Sequence, residues 1–404
     1  MRSIPHGWKS ASVGEVCKII GGSGFPERYQ GRKGLPYPFV KVSDMNLPGN
    51  EEMLTRAENT VDDEMVKALG ARLLPKGAIV FPKVGAALLT NKRRRLGVPA
   101  AVDNNCMGLV ASGVNEQYLF YWSQTIDLAR LSQNGALPSI NGSAVSELEM
   151  LLPPDNEQRK IAGILSAWGK SVGALRSRLD IALDCKRGLM QQLLTGKTRF
   201  KEFKNESWRM VKIGSLLEEC DRYMTWSDDK AFRFASIRRR SGGLFDRGTF
   251  YGREVKTKVL KSLKAGDFLI SKRQVVHGAW AMVTKPFDGF GVSDEYDVLV
   301  NRDPKTLDMR FFNYLSQTQR LWHMAYLASN GVHIEKLIFD FDDFAKEKVR
   351  IPPTVEEQAM IVDVLSACDR EIELLEKQLE ALKEQKRGLM QKLLTGEIRV
   401  KVKG

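Results

Sequence analysis

Between Ile161 and Leu193 the apolar residues Ile161, Leu165, Trp168, Val172, Leu175, Leu179, Ala182, Leu189 and Leu193 follow steps that alternate four and three. Two hundred positions later the phase repeats at Ile361, Leu365, Cys368, Ile372, Leu375, Leu379, Leu382, Leu389 and Leu393. A spacing that averages 3.5 residues keeps one stripe on one side of a helix, which is the seam of a coiled coil. Each stripe is broken at the same core position by a lysine, Lys186 or Lys386, expected to snorkel out of the seam on its long aliphatic stem. Pro153-Pro154 and Pro352-Pro353 end what precedes and open a helix, the glutamates of the first turn suit its dipole, and Gly196 and Gly396 stop it. A helix from about residue 157 to 194 would be roughly 55 Å long. Two equal apolar stripes in one chain pair most economically with each other. A twofold relation across the helices makes the pair antiparallel and would set the flanking domains at its two ends.

The repeat extends beyond the stripes. Lys186-Arg187-Gly188-Leu189-Met190-Gln191 recurs as Lys386-Arg387-Gly388-Leu389-Met390-Gln391, and Leu193-Leu194-Thr195-Gly196 as Leu393-Leu394-Thr395-Gly396. From Glu157 the two copies run without a gap, with about 19 identities in 44 positions. Trp8 and Gly14 match Trp208 and Gly214 at the same offset, and Asn134-Gly135 precedes the first proline pair much as Asn330-Gly331 precedes the second. Each half is thus a variable domain followed by a constant helix. The expected segments are a first variable domain over 1–152, a helix over 153–200, a second variable domain over 201–351 and a second helix over 352–404, an organisation whose lengths suit single cores.

The variable domains carry short apolar runs bounded by Gly and Pro, among them Tyr37 to Val42, Ala78 to Phe81, Asp267 to Ile270 and Tyr296 to Val300. Amphipathic stretches follow at about 115–131 and 309–327. The fold class expected is α+β: two mixed α/β domains with irregular sheets, plus the antiparallel helix pair.

Charge then narrows the function. Sixty-two Lys and Arg against 49 Asp and Glu leave a formal net charge of +13, which attracts polyanions through counterion release. The candidate DNA contacts are Lys83 and the run Lys92, Arg93, Arg94 and Arg95 in the first domain. In the second they are Arg238, Arg239 and Arg240, with Lys272, Arg273, Gln274 and His277 after a strand end. Arginine and glutamine suit bidentate bonds to base edges, and lysine suits phosphates.

Catalytic signatures do not assemble. The five cysteines form no Cys-x-x-Cys pair and the four histidines show no metal spacing. Gly196-Lys197-Thr198 lacks the upstream glycine of a P-loop, Gln191 standing there. Gly21-Gly22-Ser23-Gly24 reads as a turn, and Asp340, Asp342 and Asp343 as a solvated loop. No membrane segment or signal core is evident, which with unpaired thiols suits the cytoplasm. An adaptor that binds DNA, a self-sufficient methyltransferase or nuclease with degenerate motifs, and a coiled-coil adaptor with no DNA role remain as readings.

The paired Pro-Pro…Glu-Gln entries, the heptad helices ending Lys-Arg-Gly-Leu-Met-Gln-x-Leu-Leu-Thr-Gly, the Trp8…Gly14 and Trp208…Gly214 openings and the segment from Tyr37 to Met45 resemble the specificity subunits of type I restriction–modification systems. The resemblance covers essentially the whole chain. It implies a non-catalytic subunit whose two domains each read half of a bipartite double-stranded DNA site. It also implies docking of two methyltransferase subunits and of restriction subunits along residues 157–194 and 357–394. S-adenosylmethionine, ATP and Mg would belong to those partners, and no cofactor to this chain. Some relatives carry further short repeats after the first helix; here a single Leu-Leu-Thr-Gly precedes Lys197.

Overall fold

The two stripes form continuous helices, Asp155–Leu193 and Val355–Leu394. This computed structural model describes residues 4–132 and 138–401; Asn134-Gly135 lies outside the described residues. Each helix begins directly after its proline pair or one residue later, and Gly196 and Gly396 end it with φ of 71° and 72°. The Thr198 and Ile398 amides reach back to the Gln192 and Lys392 carbonyls at 3.2 Å, a left-handed stop that glycine permits without strain.

The chain divides into two compact units, Met1–Arg176 with Lys377–Gly404, and Ser177–Glu376. Each long helix therefore begins in one unit and ends in the other. Within each unit the start of one helix meets the end of the other, so the pairing is antiparallel. In the first unit the carboxylate of Glu157 receives Nε and Nη2 of Arg399, both at 2.8 Å. In the second, Glu357 receives Nε and Nη2 of Arg199 at 2.8 and 2.7 Å. The seam is occupied as the periodicity predicts: Ile161, Leu165 and Leu193 are buried and Trp168, Val172, Leu175, Leu179 and Leu189 half-buried. Across from them Leu365, Ile372, Leu375, Leu379 and Leu393 are buried, with Leu382 and Leu389 half-buried. Each fully buried leucine of this kind contributes about 1.5–3 kcal/mol.

The glutamates do more than meet the helix dipole. Glu157 and Glu357 are buried and accept the indole N–H of Trp8 (2.9 Å) and Trp208 (3.2 Å). Burial alone would raise the carboxyl of Glu157, but the bonds from Arg399 and Trp8 outweigh it and hold the group below its ordinary range. The adjacent glutamines fasten the variable domains. Gln158 accepts the amide of Asn115, the N-cap of helix Glu116–Ser123, at 2.8 Å. Gln358 accepts the amide of Asp308, the N-cap of helix Met309–Leu315, also at 2.8 Å. Domain and helix are thus one core in each unit, with Ile161, Leu165, Met390 and Leu393 packed among Tyr118, Leu119 and Trp122 in the first.

The sheets are irregular, and the main one of each unit follows a shared order. In the first unit, strands Cys17–Gly21, Cys106–Ala111, Ile79–Pro82, Arg94–Leu96 and Met53–Leu54 lie side by side in that order. In the second the order is Leu217–Glu219, Tyr296–Asn301, Phe268–Ser271 and Trp280–Met282. A second sheet differs: three short strands around Tyr37–Val40 in one unit, and in the other the long hairpin Ala231–Ile237 and Leu244–Tyr251 with two more strands.

Three local expectations are corrected. The stretch 309–327 is two helices, Met309–Leu315 and Gln319–Leu327, because Thr318 caps the second through its hydroxyl. Gly22 is more than a turn: a Cβ there would fall 1.8 Å from the carbonyl oxygen of Asp103, so only glycine permits this approach of two backbones. Asp340 caps helix Phe341–Lys346, within which Asp343 pairs with Lys346 at 2.7 Å. Among the described residues no His, Cys, Asp and Glu group could hold a metal ion.

Candidate nucleic-acid interface

In the second unit, two basic segments more than thirty positions apart form one surface. The hairpin of Ala231–Ile237 and Leu244–Tyr251 closes through residues 238–243, where Arg240 and Ser241 take φ of 57° and 53° and Gly243 takes 75°. Its tip is bolted to the loop after strand Phe268–Ser271. The amides of Arg240 and Ser241 donate to the carbonyls of His277 and Gly278, each at 2.7 Å. Nε of Arg239 donates to Oε1 of Gln274 at 2.8 Å. Gly278, at φ 70°, has no room for a side chain: a Cβ would stand 2.8 Å from Cζ2 of Trp322 and 3.3 Å from the Cα of Arg240. Backbone bonds therefore fix the two loops against each other, so the loop backbones need little further ordering when a ligand arrives.

Within this surface the cations are not equivalent. Arg238, Arg239, Arg240 and Arg273 are exposed, while Gln274 and His277 are half-buried. Arg273 pairs with Glu295, whose carboxylate holds the guanidinium above its ordinary range. Lys272 is committed to the buried Asp297 at 3.0 Å, which leaves it less free for a phosphate. Arg238 lies over the ring of Phe245 at 5.0 Å and donates to the Leu244 carbonyl. Arg239 and Arg240 have no carboxylate partner among the described residues.

The corresponding run of the first unit differs. Arg94 and Arg95 belong to strand Arg94–Leu96, paired with Val80 and Ile79. Arg93, expected to contact DNA, is buried and donates to the carbonyls of Asn91 and Ile126. Burial lowers its guanidinium to about 10, opposed by Asp127. Arg94 donates to the Met45 carbonyl at 2.8 Å and Lys92 to Asn46. These groups line a cavity of about 810 Å³ with Glu51, Asp127 and Arg387. Lys83 follows strand Ile79–Pro82 as Lys272 follows Phe268–Ser271. It is half-buried, borders a cavity of about 670 Å³ beside Gly21, Ser143 and Glu147, and has no carboxylate partner among the described residues.

Sequence reasoning missed several charged positions. Arg247 and Lys256 border a smaller cleft on the second unit's hairpin sheet with Phe250 and Tyr296, isolated in sequence and visible only once the sheet is formed. Arg387, in a helix stretch assigned to partners, turns into the first unit's cationic cavity. Among the described residues no helix is long and apolar enough to cross a membrane.

Comparison with known proteins agrees with this organisation. The family model for the type I restriction modification DNA specificity domain matches twice, at residues 5–180 and 205–384. Two proteins of Methanocaldococcus jannaschii are similar over nearly their full lengths. The putative type I restriction enzyme MjaX specificity subunit is 29% identical, covering 98% of this chain and 95% of its own. The MjaVIII specificity subunit is 24% identical, covering 98% and 94%. The fold is shared with a type I restriction–modification S subunit from M. genitalium, at a TM-score of 0.58 and 12% identity over 98% of this chain and 97% of the other. It is shared too with a chain from a structure on assembly and conformational transition of the type I R-M system, at 0.55 and 15% over 98% and 100%. With two matched domains on one chain, each joined to its own long helix, the protein belongs to the family of type I restriction–modification specificity subunits.

Proposed function

We propose that each unit reads one half of a bipartite double-stranded DNA site, and that the chain passes that choice to methyltransferase and restriction subunits without performing chemistry itself. The observation that carries this is the bolted pair of basic loops, residues 238–241 and 272–278, which presents Arg239, Arg240 and Arg273 on a rigid base. Guanidinium groups held in this way suit the O6 and N7 acceptors of guanine or the phosphates beside them. The long helices, alike in both copies, serve as the surface for two methyltransferase subunits. Constant helices suit constant partners, and diverged loops suit a changing sequence. S-adenosylmethionine binds the methyltransferase subunits, where adenine is methylated, and ATP with Mg²⁺ serves the restriction subunits. A DNA substrate suits a cytoplasmic location.

The test is a domain exchange. Replacing residues 1–152 with the same region of a relative, in complex with the methyltransferase, is expected to change one half of the methylated site and leave the other. Change in both halves or in neither would overturn the modular reading. Transfer from labelled S-adenosylmethionine by the purified chain alone would overturn the non-catalytic one.

A further inference from the structure

Beside the basic loops lies a feature that electrostatics does not use. Strands Ser329–Asn330 and Ile338–Phe339 pair as a small hairpin whose loop, residues 331–337, carries apolar side chains into solvent. Val332 is 89% exposed and Ile334 54%, and Ile338, Tyr326 and Leu327 extend the same exposed stretch. A soluble surface rarely gathers large apolar groups so closely without a partner. The loop is shaped, not slack: a Cβ on Gly331 would stand 2.7 Å from the Lys336 carbonyl, and the Lys336 amide donates to His333 at 2.8 Å. It is also joined to the basic surface, because the Phe339 amide donates to the Lys272 carbonyl at 2.9 Å.

Charge decides the occupant. The loop carries Lys336 beside Glu335 and is bonded at its base to Lys272, next to Arg273, while of the neighbouring carboxylates Asp297 pairs with Lys272, Asp340 caps a helix and Asp343 pairs with Lys346. An apolar protein partner has no use for the cations of the surface to which this loop is joined, and a polyanion with apolar groups inside its groove does. On the reading that this unit binds DNA, we infer that the loop of residues 331–337 enters the groove and sets Val332 and Ile334 against the C5-methyl of thymine, making them specificity-determining residues. The basic loops supply hydrogen bonds and phosphate contacts. The apolar loop supplies the one groove contact that hydrogen bonding cannot, since the methyl distinguishes thymine from every other base in the major groove.

The experiment uses the full chain assembled with its methyltransferase subunits and a DNA carrying its methylated site. Each thymine of both half-sites is replaced in turn by deoxyuridine, which removes the methyl and keeps the Watson–Crick edge. The expected result is one or two positions, confined to one half-site, at which affinity falls about fourfold, the worth of one buried methyl (~0.8 kcal/mol). In the Val332→Ser/Ile334→Ser variant that sensitivity disappears, while Val332→Ile retains it. The exposure of these side chains makes loss of folding a minor concern, and methylation of the other half-site, set by the first unit, controls for it. Thymine-to-uracil discrimination that persists in the double variant overturns the inference and leaves the DNA reading standing. Loss of methyltransferase assembly in the double variant also overturns it, by making the patch a protein interface. Failure of the wild-type complex to bind DNA at any salt concentration sinks the DNA reading itself.

Discussion

The seam lysines occupy one position of the repeat and have different surroundings. In the second unit, Nζ of Lys186 stands 2.5 Å from Oδ1 of Asp369, whose other oxygen accepts the hydroxyl of Tyr314 at 2.6 Å. In the first unit the residue that answers Asp369 is Gly169. Lys386 lies 5.3 Å from the centre of the Tyr121 ring, and Tyr121 donates to Glu52 at 3.3 Å. The carboxylate thus comes from a loop of the recognition domain and not from the facing helix. Gly169 makes the room, since a Cβ there would sit 3.1 Å from Oε2 of Glu52 and 3.2 Å from Nζ of Lys386. Burial lowers the ammonium of Lys386, with Glu52 offsetting only part of the cost. Neither lysine simply snorkels. One seals the helix pair by a full ion pair; the other ties a helix to a domain that diverged, at some cost in stability. The repeat keeps its geometry while its polar partners are free to change source.

The clasp common to both copies offers the largest test. Glu357→Ala is expected to cost about 3 kcal/mol, because it takes the carboxylate from the largely enclosed Arg199 guanidinium and from the buried Trp208 indole. Glu157→Ala should cost less, as the side chain of Arg399 is 42% exposed and that of Arg199 only 13%. Urea unfolding of each variant measures this, and equal losses would show that solvent access does not govern the clasp. Next in size, Arg239→Ala or Arg273→Ala should weaken DNA binding by about 1–3 kcal/mol if a base is contacted. Arg93→Ala should instead destabilise the first unit, which titration and thermal melting separate.

The lysines come third. Lys186→Met is expected to lose about 1–2 kcal/mol by leaving Asp369 and Tyr314 without their cation, whereas Lys386→Met should be neutral or stabilising. Loss at both sites would erase the contrast. Gly169→Asp with Glu52→Ala would rebuild the second unit's arrangement in the first, and it should be tolerated better than Gly169→Asp alone. The smallest effect is one of pH. Glu157 has its folded value below the ordinary 4.5, so its contribution is complete above that pH and fades as pH falls through the folded value. The stability gap between the natural chain and Glu157→Gln should therefore narrow in acid, and a gap that is constant with pH would show that the charge of Glu157 is not what the clasp uses.

The helices were legible because their period is local: every third or fourth residue reports the same face. The strands at Tyr37–Val40, Ile79–Pro82, Phe268–Ser271 and Tyr296–Asn301 show as apolar runs, but pairings such as Cys17–Gly21 with Cys106–Ala111 and Leu217–Glu219 with Tyr296–Asn301 join segments far apart in sequence and leave no such trace, so the sheet order shared by the units appears only in three dimensions. Arg93 looked like its neighbours in the basic run, yet its fate depends on the carbonyl of Ile126. The join between residues 238–241 and 272–278 rests on backbone bonds, which side-chain identity does not report. The clasp could have been found earlier, since Trp8, Glu157 and Arg199 all have identical counterparts at the 200-residue offset.

Because the first unit contains both Met1–Arg176 and Lys377–Gly404, it cannot close while the ribosome is still translating the segment between them. All of Ser177–Glu376 is synthesised before residue 377 is added, so the unit encoded first is completed last. A premature stop codon shortly after Glu376 would leave the later-encoded unit with all its parts and the earlier one without the helix end and the arginine that seal it.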